Sequence, residues 1–309
     1  MSTAGRSPSL SSGVTVALLA ALGLLLPAEA RPQEIVKRIG RVSIRVDTRQ
    51  GVPGGVLVVR LSSRGRLGAA WAILDGRRAP FHLDREGLRA LVPVAAEREP
   101  GPATLGIAIA ARRRAQRIAI PLNVAPRLYP SRTVVLPVPF QALIAQPEAT
   151  RDARRLLAET RNSSATRGPD SLQPPVVGRG DGFGELRDYP GFSELERRID
   201  GLSGARHRGL DYAVPRGTTV QAPAAGTVLL AGPLMPSGGT VVIDHGLGIV
   251  SVLAHLSRLD VRGGQAVSAG DPVGLSGESG LTPAPLLQWR VYLHGVAVDP
   301  RVLDAALRS

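Results

Sequence analysis

His207 and Asp211 are residues of a type suited to hold a divalent metal, although His-x-x-x-Asp by itself is a weak signal. An imidazole nitrogen and a carboxylate are both zinc donors. A hydrolytic zinc takes three protein ligands and leaves one position for water, and water bound there loses its proton near neutral pH and becomes a nucleophile. The spacing sets a condition. Four residues apart on an ideal strand, the two side chains would lie about 13 Å apart, too far to share an ion. The chain must therefore bend between them, and Gly209 allows it to. A further histidine, His255, follows in Ala254-His255-Leu256, after short apolar runs broken by glycines. His245 precedes Gly246 at an expected tight turn and reads as structural, and His82 follows Phe81 as a surface or edge residue. His294 shares a face with Gln288 but lies six residues on, about 20 Å along an extended strand and outside ligand range.

Several segments fall in a characteristic order. They are His207-Arg208-Gly209-Leu210-Asp211, the stretch 217–228, Val242-Ile243-Asp244-His245-Gly246-Leu247-Gly248, His255-Leu256 and Val298-Asp299-Pro300. Over residues 204–300 this resembles the lysostaphin/LytM-type zinc peptidases, which cut peptide cross-bridges in bacterial cell wall. The resemblance implies that His207 and Asp211 are metal ligands. It also implies that His255 is a catalytic residue, hydrogen-bonding the attacking water or the developing oxyanion. The family's last motif is His-x-His followed by an aromatic residue, and here the chain has Leu286-Leu287-Gln288-Trp289. Residues i and i+2 of a strand share a face about 6.6 Å apart, which is how His-x-His aims two imidazoles at one centre. Leu286 has no donor. Gln288 has a neutral amide oxygen, better matched to a hard cation such as calcium than to zinc, so it is expected to be a weak metal ligand. Zinc is accordingly expected to be weakly held or absent. Arg290 stands where the family often has an acidic residue and adds positive charge near the cleft.

The resulting expectation is an exported cell-envelope protein with a degenerate LytM-type domain. It is non-catalytic and binds peptidoglycan or regulates wall hydrolases, with peptidoglycan or an envelope protein as partner. The alternative is an active zinc metalloendopeptidase with an atypical ligand set. His207, Asp211 and His255 leave two readings open: residual metal binding, or a hydrogen-bonded cluster that persists because it packs well.

Elements able to position these residues follow from pattern. From Arg41 to Val124 short apolar runs at Arg41–Val46, Val56–Leu61, Ala70–Leu74, Leu88–Val94, Ala103–Ala110 and Gln116–Asn123 alternate with turn residues, the pattern of an immunoglobulin-like β-sandwich. Pro147 to Arg161 has the pattern of a short helix, and Ser193 with Glu196 forms a capping box opening another, to Asp200. Residues 162–185 have the Ser, Gly and Pro content of a linker. From Ala205 onward, short, evenly spaced strands, among them Leu287–Leu293, predict a compact antiparallel sheet. The fold class expected is thus dominated by β-structure, with short connecting helices. The divisions are 1–30 as signal peptide, 31–125 as sandwich, 126–203 as connector and 204–309 as the LytM-like domain.

Composition bounds the setting. Val14 to Leu26 is an apolar run closed by Pro27-Ala28-Glu29-Ala30, the form of a secretory signal cut after Ala30. Export to the periplasm, the extracellular space or the cell envelope is the expectation. The 309 residues carry a net charge of +13, and Lys37 is the sole lysine. Such charge either meets an anionic envelope polymer or is simply solvated. Nucleic acid is not expected as a partner: the chain is read as exported, and its 3% aromatic content offers few stacking platforms. Without cysteine there is no disulfide and no thiolate metal site.

Overall fold

Alternating burial builds the first half of the chain. In a computed structural model, residues 33–65, 67–110, 116–135, 147–164, 168–188 and 206–309 are described. The expected signal segment and the helix predicted over Ser193–Asp200 lie outside them. β1 (Glu34–Ile39), β2 (Val42–Asp47), β3 (Val56–Ser63), β7 (Gly87–Pro93) and β6 (His82–Asp84) form one sheet in that order. β5 (Arg77–Pro80), β4 (Ala70–Leu74), β8 (Gly101–Ile109) and β9 (Gln116–Val124) form the other. Val42, Ile44 and Val46 point inward from β2, and Ile118, Ile120 and Leu122 from β9, each set at the two-residue period of a strand. They meet Leu57, Val59, Leu74, Leu105 and Ile107 in one core between the sheets. Each large side chain buried there contributes about 1.5–3 kcal/mol. The sandwich therefore forms as the alternation predicts, with β1, β5 and β6 as additional strands. Its immunoglobulin-like relationship stays a proposal.

The second half is a nine-stranded antiparallel sheet. β12 (Leu210–Tyr212), β19 (Leu287–Leu293), β16 (Ile249–Leu259), β15 (Gly238–Gly246), β14 (Gly226–Leu234) and β17 (Ala266–Val267) run in that order. β13 (Thr219–Gln221) pairs with β18 (Pro272–Ser276), β18 with β16, and β20 (Val296–Val298) with β19. β15 and β16 are apolar on both faces because both faces are covered. Val241, Ile243, Ile249 and Leu253 join the main core. Val242, Val250, Val252 and Tyr292 turn the other way, onto Leu156. Leu156 belongs to α1 (Pro147–Glu159), whose Ala149, Ala153 and Leu156 recur at helical spacing on its buried side. α2 (Pro300–Arg308) closes the chain. Asp299 caps it by accepting from the Arg301 amide at 3.0 Å.

Two expectations need correction. The stretch 162–185 has a linker's composition, yet from 168 onward much of it is packed: Leu172, Val176 and Phe183 are buried in the main core. β11 (Leu186–Asp188) continues it and pairs in parallel with β10 (Ser131–Thr133). Composition misleads because the few apolar side chains in this stretch are the ones that dock. The three blocks drawn from composition also share a core, since Val56, Val58, Leu91 and Ala96 of the sandwich cluster with Leu210, Tyr212 and Leu303. Arg127 bridges to the buried carboxylate of Asp299 at 2.6 Å, and the Asp299 amide donates to the Gly54 carbonyl at 2.8 Å.

Candidate functional site

β12, β19 and the end of β16 position the residues singled out in the sequence. Asp211 lies opposite Gln288 in the β12–β19 register, and Ala254 lies opposite Gln288 in the β16–β19 register. His255 follows directly, with a left-handed backbone at φ 65°. The chain does bend between His207 and Asp211, whose Nε2 and Oδ1 are 3.4 Å apart. Gly209 matters here for closeness more than for backbone freedom: a Cβ at that position would stand 2.8 Å from the Trp289 carbonyl oxygen. Leu286 precedes the strand, half-buried, its amide donating to the Gly277 carbonyl at 2.9 Å.

A strap of residues 181–187 runs along β12 and completes the centre. Asp181 and Asp211 exchange backbone hydrogen bonds of 3.0 and 2.8 Å. The Gly184 amide donates to the His207 carbonyl at 2.8 Å, and the His207 amide to the Glu185 carbonyl at 2.8 Å. His207 Nδ1 donates to the Gly182 carbonyl at 3.1 Å, which leaves Nε2 as an acceptor. Gln288 fills that acceptor: its amide nitrogen is 3.0 Å from His207 Nε2 and 3.3 Å from Asp211 Oδ1. Gln288 thus turns its nitrogen, not its oxygen, toward the pair. It does so because both neighbours are acceptors.

Arg187 takes the other oxygen of the carboxylate, its Nη2 donating to Asp211 Oδ2 at 2.6 Å. Its Nε donates to Glu185 at 3.1 Å, and Glu185, itself buried, also pairs with Arg132 at 3.2 Å. Sequence reasoning missed Arg187 and Glu185 because they sit beside a stretch with linker composition. The signal available was the alternation of Phe183, Glu185 and Arg187 next to a buried aromatic.

Charge states follow from burial and neighbours. Burial, with the charges of Arg187 and Arg290 adding to it, pushes His207 down to about 4, so it is neutral in the fold. Burial alone would raise Asp211; the charge and hydrogen bond of Arg187 outweigh it and hold the carboxyl below its ordinary value. His255 donates from Nδ1 to the Ser279 carbonyl at 2.8 Å. Arg290 is buried with Nη2 donating to Ser237 Oγ at 2.7 Å. His245 has the structural role expected of it: Nδ1 donates to the Ala225 carbonyl at 3.0 Å and Nε2 accepts from Ser251. Ser251 in turn accepts from Trp289 Nε1 at 3.2 Å.

These residues do not fit a zinc ion. Among the described residues no group of three or more His, Asp or Glu side chains is placed to share a metal. The third position presents amide N–H donors. The carboxylate is already neutralised by a guanidinium, and a positive charge 4 Å from another is repelled by about 4 kcal/mol at an effective dielectric of 20.

Residues 205–300 match the model of peptidase family M23, whose members are zinc-dependent in general. The peptidoglycan DD-endopeptidase ShyA of Vibrio cholerae is 37% identical over 105 residues, 34% of this chain and 24% of that protein. The murein hydrolase activator EnvC of Escherichia coli is 32% identical over 168 residues, 51% of this chain and 40% of that protein. The chain thus spans less than half the length of these curated relatives. A crystal structure of a peptidase M23 candidate from Pseudomonas aeruginosa superposes with a TM-score of 0.61 at 28% identity, covering 84% of this chain and 96% of that one.

Proposed function

Because residues 205–300 are a peptidase M23 domain of LytM type, we propose that the chain is an exported envelope protein whose M23 domain has ceased to be a hydrolase. It binds peptidoglycan or regulates the enzymes that cut it. One observation carries the reading: Gln288 and Arg187 meet His207 and Asp211 with hydrogen-bond donors where a third zinc ligand would have to stand. A hydrolytic zinc centre needs three protein ligands and an open water position. The likeness to a murein hydrolase activator, over half of this chain, favours the regulatory branch. Export rests on the N-terminal sequence pattern, and no helix among the described residues is long and apolar enough to cross a membrane. Anionic envelope polymers are further candidate partners, through the +13 net charge.

The second reading, a metal-dependent endopeptidase, is favoured by the 3.4 Å approach of His207 to Asp211 and by its match to ShyA. In it His255 is the catalytic residue and His207 and Asp211 are metal ligands. Incubating the purified chain with sacculi separates the two. The regulatory reading expects no soluble wall fragments from the chain alone, and faster release when a wall amidase is added with it. Chelator-sensitive cleavage by the chain alone would refute it.

A further inference from the structure

Arg187 is out of place in a metal site, and its surroundings are built to hold it there. The strap is fixed by four backbone hydrogen bonds of 2.8–3.0 Å, two to Asp211 on β12 and two to His207 just before it. Phe183 is buried in the main core. Gly184 adopts φ 77° against the Tyr129 ring, where a Cβ would lie 2.0 Å from a ring carbon. Gly182, at φ 90°, lets its carbonyl receive His207 Nδ1, and a Cβ there would lie 3.0 Å from the Arg187 guanidinium. Arg187 is mostly enclosed, its side chain 11% exposed, between Asp211 at 2.6 Å and Glu185 at 3.1 Å. A mobile surface arginine would need none of this.

We propose that Arg187 is an internal counter-cation: its guanidinium takes over from a divalent metal as the charge partner of Asp211, and the strap that carries it closes the centre to zinc. The ledger of groups is complete without an ion. Asp211 Oδ2 is met by Arg187, Asp211 Oδ1 and His207 Nε2 by the amide nitrogen of Gln288, and His207 Nδ1 by the Gly182 carbonyl. Arg187's second charge partner, Glu185, is balanced by Arg132. For zinc to enter, Gln288 would have to give up both hydrogen bonds and the dication would have to share one carboxylate with a guanidinium. The loss of the family's last histidine is therefore only half of the change. The other half is a cation on a neighbouring segment, and restoring the histidine alone should not restore the site. The inference rests on the same cleft as the proposed function, but its test measures metal affinity and not wall cleavage, so the two can fail separately.

The experiment is zinc titration of the full chain in competition with a chromophoric chelator, with a melting curve for each variant with and without zinc. The variants are Gln288→His, Arg187→Met and the two combined. Wild type and Arg187→Met are expected to take up no stoichiometric zinc. The combined variant is expected to bind one zinc per chain and to melt higher with it. Its affinity should exceed that of Gln288→His by about 10- to 100-fold, the usual worth of a group acting on a metal ligand. If the methionine variants do not fold, Arg187→Gln gives the same comparison, because it can still hydrogen-bond Asp211 but has no charge. Equal zinc affinity in Gln288→His with and without Arg187 would overturn the proposal, as would one tightly held zinc in the wild type.

Discussion

The sheet that carries the cleft and the cleft's own floor have been treated differently by this sequence. β15 and β16 are buried on both faces by side chains of the main core and of α1, and the turn and exit segments around them keep the order of the M23 family. A few ångströms away, the centre pairs its carboxylate with a guanidinium and its imidazole with an amide. The contrast teaches that fold and chemistry have separate supports here. Apolar burial holds the sheet regardless of what the centre contains. The centre has to satisfy its buried carboxylate and imidazole with specific polar partners, because an unpaired buried charge is costly.

The largest effect should come from the sheet. Ile243→Ala, at a fully buried position of β15, is expected to cost about 4 kcal/mol, measured by urea denaturation and unchanged by zinc. Arg187→Met follows, at about 3 kcal/mol, since it strands the Asp211 carboxylate. Adding Asp211→Asn to it should recover much of that loss, a coupling a double-mutant cycle reads directly. If Arg187→Met is neutral, the guanidinium is an ornament and the contrast between the two regions fails.

Acid sharpens the comparison next. His294, in the turn from β19 to β20, is pushed down to about 4 by burial first and then by the charge of His82. It is neutral in the fold while the unfolded chain protonates it near 6.5. Its contribution is therefore intact above pH 6.5 and is lost as pH falls toward 4, up to about 3 kcal/mol. His294→Asn, tolerant of the φ of 50° there, should flatten the stability profile in that window while leaving the acid response of His207 in place. The smallest effect is expected from Gln288→Leu, about 2 kcal/mol, because it removes the two hydrogen bonds to His207 and Asp211 while Arg187 still pairs the carboxylate.

Much of this was legible in the residues. Alternation over Arg41–Val46 found β2, and the strand expected over Leu287–Leu293 is β19 to the residue. His207 and Asp211 were legible as donors by type, but it was the resemblance to LytM-type peptidases that singled out His255 and Gln288; the structure places His207 just before β12, Asp211 on β12, His255 at the end of β16 and Gln288 on β19. Arg187 and Glu185 were not found, because their meaning depends on a neighbouring strap whose glycines resemble a linker. A glycine that permits a carbonyl to turn toward His207 and a glycine that merely lengthens a loop are the same letter. The orientation of the Gln288 amide was equally hidden, since it is set by which of its neighbours donate and which accept.

Metal analysis of the chain purified without chelator and then dialysed against zinc addresses the central claim most directly. The self-satisfied centre predicts far less than one zinc per chain, with the same value in Asp211→Ala. Near-stoichiometric zinc that disappears in Asp211→Ala would contradict it.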